Sequence, residues 1–207
     1  GRGLGILRED ARAGVATSDA ELPLASRRRA REPKLLVLTK ATSRSTVHRP
    51  GYLDYIGIKR FDSQGNVVGE RRFVGLYTSS AYQDRLDTIP IVRDKARAVL
   101  SQAGFAANSH MGKNLASILE TFPRDELFQM DEATLFETAT GILRLGDRRK
   151  LRVFIRRDAY GRFYSCLIYL PRDQFNTESR TKIQNILKHN LSGSRVEVTV
   201  QLSDALL

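Results

Sequence analysis

The residue types that could do chemistry are concentrated in RRDAYGRFYSCLIYLPRDQFNT, residues 156–177. This stretch contains a Ser165-Cys166 pair, several aromatic rings and two Arg-Asp dipeptides. A catalytic thiol needs a nearby base and an electropositive, accessible setting that lowers its pKa. Cys166 instead falls in the middle of a predicted strand, on the same face as Tyr164 and Ile168. We therefore interpret Cys166 as a small buried apolar residue.

The histidines do not form a recognisable site. His48, His110 and His189 fall on three different predicted segments, and no two of them have the spacing of a metal-binding motif. A cation at His189 is explained by its place near a helix C-terminus, where the helix dipole favours positive charge. The spacing therefore indicates no metal site.

Two acidic pairs, Asp125-Glu126 and Asp131-Glu132, flank the segment 127–130. Acidic side chains are favoured at the start of a helix, and this accounts for both pairs without a catalytic role. We predict that the chain carries no catalytic, cofactor-binding or metal-binding residue.

The composition is that of a globular protein. The 207 residues are 41% hydrophobic and 28% charged, which fits one or two domains. The single cysteine excludes an internal disulfide framework and favours a reducing, cytoplasmic location. The sequence has no long apolar run and no apolar signal-peptide core, so we predict no membrane span. Because the chain begins at Gly1, we expect it to be a fragment.

The net charge of +11 leaves several kinds of partner open. The densest basic runs are residues 27–31 and 148–152, and we interpret them as solvated faces or subunit contacts. The alternative is a basic, ferredoxin-like nucleic-acid-binding module, in which exposed rings and arginines share a sheet. The candidates for that platform are Phe154, Phe163, Tyr164, Arg152, Arg156 and Arg162. The order of residues 160–165 does not match the usual RNA-binding motif.

The first two thirds of the chain predict a strand, a hairpin and three helices. After an irregular segment at 1–33, residues 34–40 form a strand, and residues 52–61 and 67–78 form a hairpin around a Gly-containing turn. The first helix starts near Thr88 or Pro90, buries Ile91 and ends at Gly104. Ser109 caps the second and Asp131 the third, which ends near Gly146.

The last part of the chain predicts a β-β-α-β order. Leu151, Val153 and Ile155 alternate with polar or aromatic residues, and residues 163–170 read as a central strand. Thr177 or Asn176 caps a helix with an apolar stripe, and residues 196–202 alternate as a third strand. The predicted fold class is α+β, an ACT-like or ferredoxin-like antiparallel sheet with helices on one face, plus a helical segment between modules. We assign residues 34–147 to a strand-hairpin and helical region that forms most of one module, and 148–207 to the start of another, truncated one.

Three long strings carry a family resemblance. They are GYLDYIGIKRFDSQGNVVGERRFVGLYTSSAY (51–82), PRDELFQMDE (123–132) and RRDAYGRFYSCLIYLPRDQFNTESR (156–180). They resemble the N-terminal region of the large bacterial NAD-specific glutamate dehydrogenases, over about residues 34–207.

The resemblance implies a parent enzyme that oxidatively deaminates glutamate to 2-oxoglutarate and ammonia with NAD. Its N-terminal ACT-like modules would serve regulation and assembly, with an amino-acid effector and sister subunits as candidate partners. The catalytic lysine and the NAD site of the family would lie elsewhere, because neither Lys113 nor Lys150 matches the catalytic motif. The fragment itself is predicted to be inactive, without a cofactor of its own and part of a homo-oligomeric enzyme.

Overall fold

A computed structural model describes Arg28, residues 30–146 and residues 150–201. Most of the segment predicted to be irregular at 1–33, and parts of both basic runs, lie outside these residues. The described residues divide into two compact units. One holds the residues up to Asp84 together with Asp158–Arg162, and the other holds Arg85–Arg157 and the residues from Phe163 onward. The domain limits 1–33, 34–147 and 148–207 stay predictions.

The first unit is built on an antiparallel sheet with the strand order β1-β2-β3. Its strands are β1 (Leu36–Ser45), β2 (Gly51–Phe61) and β3 (Val67–Gly75), followed by the short helix α1 (Ser79–Gln83). The predicted hairpin is confirmed. Its turn is closed by Asp62 N, which donates to Asn66 O at 3.0 Å, and by Gly65 at φ 83°, a conformation that favours glycine.

The second unit begins with a cluster of helices. After a 3₁₀ turn at Leu86–Thr88 come α2 (Val92–Ala103), α3 (His110–Thr121), α4 (Arg124–Gln129) and α5 (Glu132–Leu143). The three predicted helices are confirmed, and the six-residue α4 was not predicted. Their core includes the fully buried Leu115, Leu119, Leu127, Leu135 and Ile142. Each such side chain contributes roughly 1.5–3 kcal/mol by leaving water.

The start of α2 corrects one prediction. The helix begins at Val92, and Ile91 is its N-cap at φ 70°, a backbone region that β-branched residues rarely adopt. Ile91 is 36% exposed, and Val92 is fully buried in its place. The predicted burial of Ile91 is therefore wrong, because the helix starts after Pro90 and not at it.

A hairpin and a helix complete the second unit. They are β4 (Arg152–Arg157), β5 (Tyr164–Tyr169) and α6 (Thr177–Asn190), with a 3₁₀ turn at Arg172–Gln174 before the helix. The hairpin is confirmed, but β5 is not a central strand, since this sheet has two strands in the described part of the chain. Asn176 caps α6, with its side chain accepting from Ser179 N at 2.8 Å. No residue of α6 is fully buried.

The predicted third strand is not present in the described residues 195–201. They are assigned no strand, and Val198 and Val200 are 39% and 47% exposed. A strand exists only where a neighbour completes its backbone hydrogen bonds, and an alternating pattern of valines does not supply that neighbour. Leu202, the last residue of the predicted strand, lies outside the described residues.

The architecture is α+β, as predicted, and is consistent with an ACT-like sheet joined to a helical segment. Helices α4 and α5 lie against one face of the β4–β5 hairpin. On this face a methyl group added at Gly141 of α5 would meet Phe154 of β4. Across residues 30–146 and 150–201, no helix is long and apolar enough to cross a membrane.

Candidate functional site

Cys166 lies on β5 and is half-buried. Burial, together with the charge of Glu126, raises the pKa of its thiol. A thiol with a raised pKa stays protonated at neutral pH and is a poor nucleophile. The hydroxyl of the neighbouring Ser165 donates to Glu126 Oε1 at 2.7 Å. This bond gives Ser165 a structural role.

The strongest polar cluster of the second unit centres on Glu126, near the start of α4. Its carboxylate accepts from Arg156 Nε at 2.9 Å and from Arg156 Nη2 at 3.0 Å. The side chains of both residues are almost buried, with 8% of Glu126 and 14% of Arg156 exposed. Arg156 Nη2 also donates to Gln129 at 3.2 Å. This cluster joins helix α4 to the β4–β5 hairpin. The sequence alone did not predict it.

Both acidic pairs lie at the start of a helix, as predicted. Asp131 caps α5, with its Oδ1 accepting from Thr134 N at 2.7 Å. Asp125 and Glu126 lie in the first turn of α4, and Glu132 lies in the first turn of α5. These positions complement the positive end of a helix dipole.

The histidines lie on separate elements. His48 is in the connection between β1 and β2, His110 begins α3 beside Asn114 at 3.3 Å, and His189 lies in the last turn of α6. Within residues 30–146 and 150–201, no group of three His, Cys, Asp or Glu side chains is arranged to hold a metal ion.

A second polar cluster lies in the first unit around Asp158. The Asp158 carboxylate accepts from Thr39 Oγ1 at 2.6 Å, from Arg162 Nε at 3.0 Å and from Tyr160 N at 3.1 Å. Its side chain is 1% exposed. Burial alone would raise the pKa of Asp158, but the hydrogen bonds from Arg162 and Thr39 outweigh it and lower the pKa. The cluster holds the turn between β4 and β5, in which Gly161 N donates to Asp158 O at 2.8 Å.

A third group lies on β2 and β3. The Tyr55 hydroxyl donates to Glu70, and Arg72 Nε donates to the same carboxylate at 3.2 Å. The bond from Tyr55 to Glu70 joins β2 to β3, whereas Arg72 and Glu70 lie on the same strand. Burial raises the pKa of Tyr55 strongly, and the bonded Glu70 raises it further. Burial, with a smaller effect of Glu70, raises the pKa of Tyr160 to about 12.

The aromatic and basic residues of the hairpin do not form the exposed platform that nucleic acid would need. Phe154 is half-buried beside Gly141, and Arg156 is engaged by Glu126. Tyr164 is 42% exposed, with the Arg157 guanidinium 5.9 Å from its ring centre. The rings therefore do not provide the series of open stacking surfaces that single strands bind.

These clusters have one chemical property in common. Each carboxylate at their centres accepts two or more hydrogen bonds from side chains of its own unit, and each is shielded from water. Such a group fixes two elements together and has little capacity left to take a proton from a substrate. The arrangement is suited to holding a framework in one conformation.

Two family models match the chain. Residues 89–148, which include α2 to α5, match the model described as glutamate dehydrogenase, helical motif 1. Residues 152–207, which include the hairpin and α6, match the model described as glutamate dehydrogenase, ACT2 domain. The chain is thus of a class in which a helical motif precedes an ACT-type α+β domain.

Curated relatives extend the similarity to most of the chain. An NAD-specific glutamate dehydrogenase of Pseudomonas aeruginosa is 44% identical over 196 residues, 95% of this chain and 12% of the relative. The protein of that name from Halomonas elongata is 45% identical over 84% of this chain and 11% of the relative. The one from Mycobacterium tuberculosis is 34% identical over 84% of this chain and 10% of the relative.

The chain belongs to the NAD-specific glutamate dehydrogenase family and corresponds to its N-terminal region. It spans about an eighth of the length of the curated relatives that it matches. No support for the nucleic-acid interpretation comes from these matches.

Proposed function

We propose that this chain is a regulatory and assembly region of an NAD-dependent glutamate dehydrogenase and takes no part in bond-making. The parent enzyme oxidises glutamate with NAD and water to 2-oxoglutarate and ammonia. The lysine and the dinucleotide site that perform this reaction belong to other parts of the parent protein. Residues 34–147 and 148–207 act as two successive structural modules of this region, and the enzyme works in the cytoplasm.

The observation that carries the proposal is that Glu126, the nearly buried carboxylate beside Ser165 and Cys166, already has its hydrogen-bonding sites occupied. Two bonds from Arg156 and one from Ser165 occupy it, and the thiol of Cys166 has a raised pKa. The hydrogen bonds of Arg156 and Ser165 to Glu126 hold the β4–β5 hairpin against helix α4. The match to a helical motif and an ACT2 domain is in keeping with a framework that transmits changes between subunits.

Two measurements test the absence of bond-making. The 207-residue chain, incubated with glutamate and NAD, is expected to produce no NADH and to show no saturable NAD binding. In the full-length enzyme, Glu126→Gln should alter subunit assembly or the shape of the glutamate saturation curve. The kcat per assembled subunit should stay within about twofold of the parent value. A correctly assembled variant with kcat reduced a hundredfold, about 2.7 kcal/mol of transition-state stabilisation, would show that Glu126 takes part in the reaction.

A regulatory role implies a ligand of the α-amino-acid class, as in other ACT-type domains. We expect at least one common amino acid to raise the melting temperature of the chain, with a rise that grows logarithmically with concentration. Glutamate and its reaction product 2-oxoglutarate serve as probes beside the other amino acids. A flat response to all of them would leave assembly as the role of this region.

A further inference from the structure

The division of the chain into two compact units cuts across the β4–β5 hairpin. The turn of the hairpin, Asp158–Arg162, belongs to the first unit, and both strands belong to the second unit. Two of the polar clusters described above are therefore built on one hairpin. We call them the Asp158 cluster, made of Thr39, Asp158 and Arg162, and the Glu126 cluster, made of Glu126, Arg156 and Ser165.

Each side of the hairpin contributes to both clusters. On the first side, Arg156 donates to Glu126, and Asp158 follows Arg156 by two residues. On the second side, Arg162 donates to Asp158 at 3.0 Å. Three residues later, Ser165 donates to Glu126 at 2.7 Å. Arg156 and Ser165 are direct partners in the strand register, so Glu126 binds both members of one cross-strand pair.

The two clusters are close together along the chain. One cross-strand pair, Arg157 with Tyr164, lies between the pair Arg156–Ser165 and the turn. A single residue separates Arg156 from Asp158, and consecutive Cα atoms are 3.8 Å apart. The end of a strand ladder opens more easily than its middle. Release of the turn therefore reaches the two partners of Glu126 before any other part of the hairpin.

Both clusters are shielded from water. The side chain of Asp158 is 1% exposed, and that of Glu126 is 8% exposed. A buried charge that loses one of its hydrogen bonds still carries the cost of its burial, so a partly open cluster is unfavourable. We propose that the β4–β5 hairpin couples the two clusters, so that opening of the Asp158 cluster weakens the Glu126 cluster, and the reverse. The hairpin then carries a change in the first unit to helix α4, a coupling that does not depend on the proposed function.

Amide hydrogen exchange of the 207-residue chain tests the coupling in the first direction. Asp158→Asn should lower the protection of the Leu127 amide, which donates to Pro123 O at 3.1 Å, at least fivefold. The amide of Val99, which is fully buried in α2, reports global unfolding, and protection at Leu127 is taken relative to it. Thr39→Val keeps the carboxylate and should give a smaller loss of the same sign, so it decides the test if Asp158→Asn does not fold.

Asp54→Asn is the matched control, because Asp54 is another buried carboxylate of the first unit. Its side chain is 4% exposed and accepts from Lys40 Nζ at 2.6 Å and from Tyr77 N at 2.8 Å, and none of these residues belongs to the hairpin. Protection at Leu127 should stay within twofold of the parent value in Asp54→Asn. The proposal is overturned by an equal loss in the control and in Asp158→Asn, or by no loss in either variant of the Asp158 cluster.

The reverse direction provides a second test, because coupling between two sites is reciprocal. Glu126→Gln should lower the protection of the Gly161 amide, which donates to Asp158 O at 2.8 Å, by a similar factor. Ser109→Ala, which removes the cap of α3 in the same unit as Glu126, should leave Gly161 unchanged. Equal exchange at Gly161 in the parent and in Glu126→Gln would show that the two clusters open independently.

Discussion

The carboxylate of Glu126 and the guanidinium of Arg156 form a two-point ion pair between helix α4 and strand β4, with donor–acceptor distances of 2.9 Å and 3.0 Å. Because both side chains are nearly buried, each charge depends on the other for the solvation it lost on folding. Breaking one side of such a pair costs more than replacing the whole pair by apolar groups.

Glu126→Ala should therefore lower the free energy of unfolding by roughly 3–5 kcal/mol, because it leaves the Arg156 charge buried without its partner. Glu126→Leu combined with Arg156→Met should recover most of that loss. The measurement is a urea unfolding series at neutral pH on the 207-residue chain. As a control, Asp87→Ala removes an exposed ion pair with Arg85 and should cause no measurable loss. If the loss of unfolding free energy in the double variant equalled the sum of the losses in Glu126→Leu and in Arg156→Met measured singly, the two residues would not be a coupled pair.

The ion pair between Glu126 and Arg156 could not be predicted from the sequence, although the helix caps could. Glu126 and Arg156 are thirty positions apart, and the helix-start rule that explains Glu126 says nothing about a distant partner. Caps are local signals and were correct: Ser109 accepts from Gly112 N at 3.1 Å, and Asp131 caps α5. Local chemistry is readable from one segment, whereas a buried ion pair depends on how two segments come together.

The same reasoning explains the errors on the strands. The valine alternation at residues 196–202 and the apolar run at 163–170 are genuine strand patterns. Periodicity reports which way successive side chains point, but pairing is decided by another segment. On β4 the alternation is present, yet Ile155 is 52% exposed while Phe154 lies against α5. The contacts of β4 with Glu126 and Gly141 determine which face of the strand is directed to the core. The periodicity of the strand carries no information about these contacts.

Asp158→Asn should destabilise the first unit by about 1–3 kcal/mol at neutral pH, because the amide cannot accept from Arg162 and Thr39 as the carboxylate does. The folded-state pKa of Asp158 is lowered, so its stabilisation is present above the unfolded value of about 3.9. It is lost as the pH falls through the lower folded value. The gap in unfolding free energy between parent and variant should close in acid.

The comparison requires urea unfolding of both proteins at several pH values from neutral to acidic. Thr39→Val removes a single donor to Asp158 and keeps the carboxylate, so it should cost less than Asp158→Asn at neutral pH. A difference between parent and Asp158→Asn that stayed constant down to the acid limit would show that the carboxylate charge is not the source of the stabilisation.

Gly141 should resist replacement although it lies inside helix α5. Alanine is favoured over glycine in a helix by about 1 kcal/mol, but a methyl group at this position would come within 2.8 Å of Phe154 Cε1. Overpacking of this kind costs about 1–3 kcal/mol. Gly141→Ala is expected to lower the melting temperature, and adding Phe154→Leu should reverse the sign of the alanine effect. If Gly141→Ala alone raised the melting temperature, the Phe154 ring would have moved away from the added methyl group without cost.

Tyr169 should make the chain sensitive to alkaline conditions. Burial raises its pKa to about 12, whereas an unfolded tyrosine has a pKa of about 10. The raised value means that the stabilisation is complete below pH ~10 and is lost as the pH rises through the folded value. Tyr169→Phe keeps the ring that lies edge-on to Phe154, with ring centres 6.0 Å apart in the parent, and has no proton to lose. Urea midpoints should therefore fall less steeply between about pH 9 and pH 11.5 in Tyr169→Phe than in the parent, and ultraviolet titration should lose one late-ionising phenol. Identical alkaline slopes in the two proteins would show that Tyr169 ionises as readily in the folded chain as in the unfolded one.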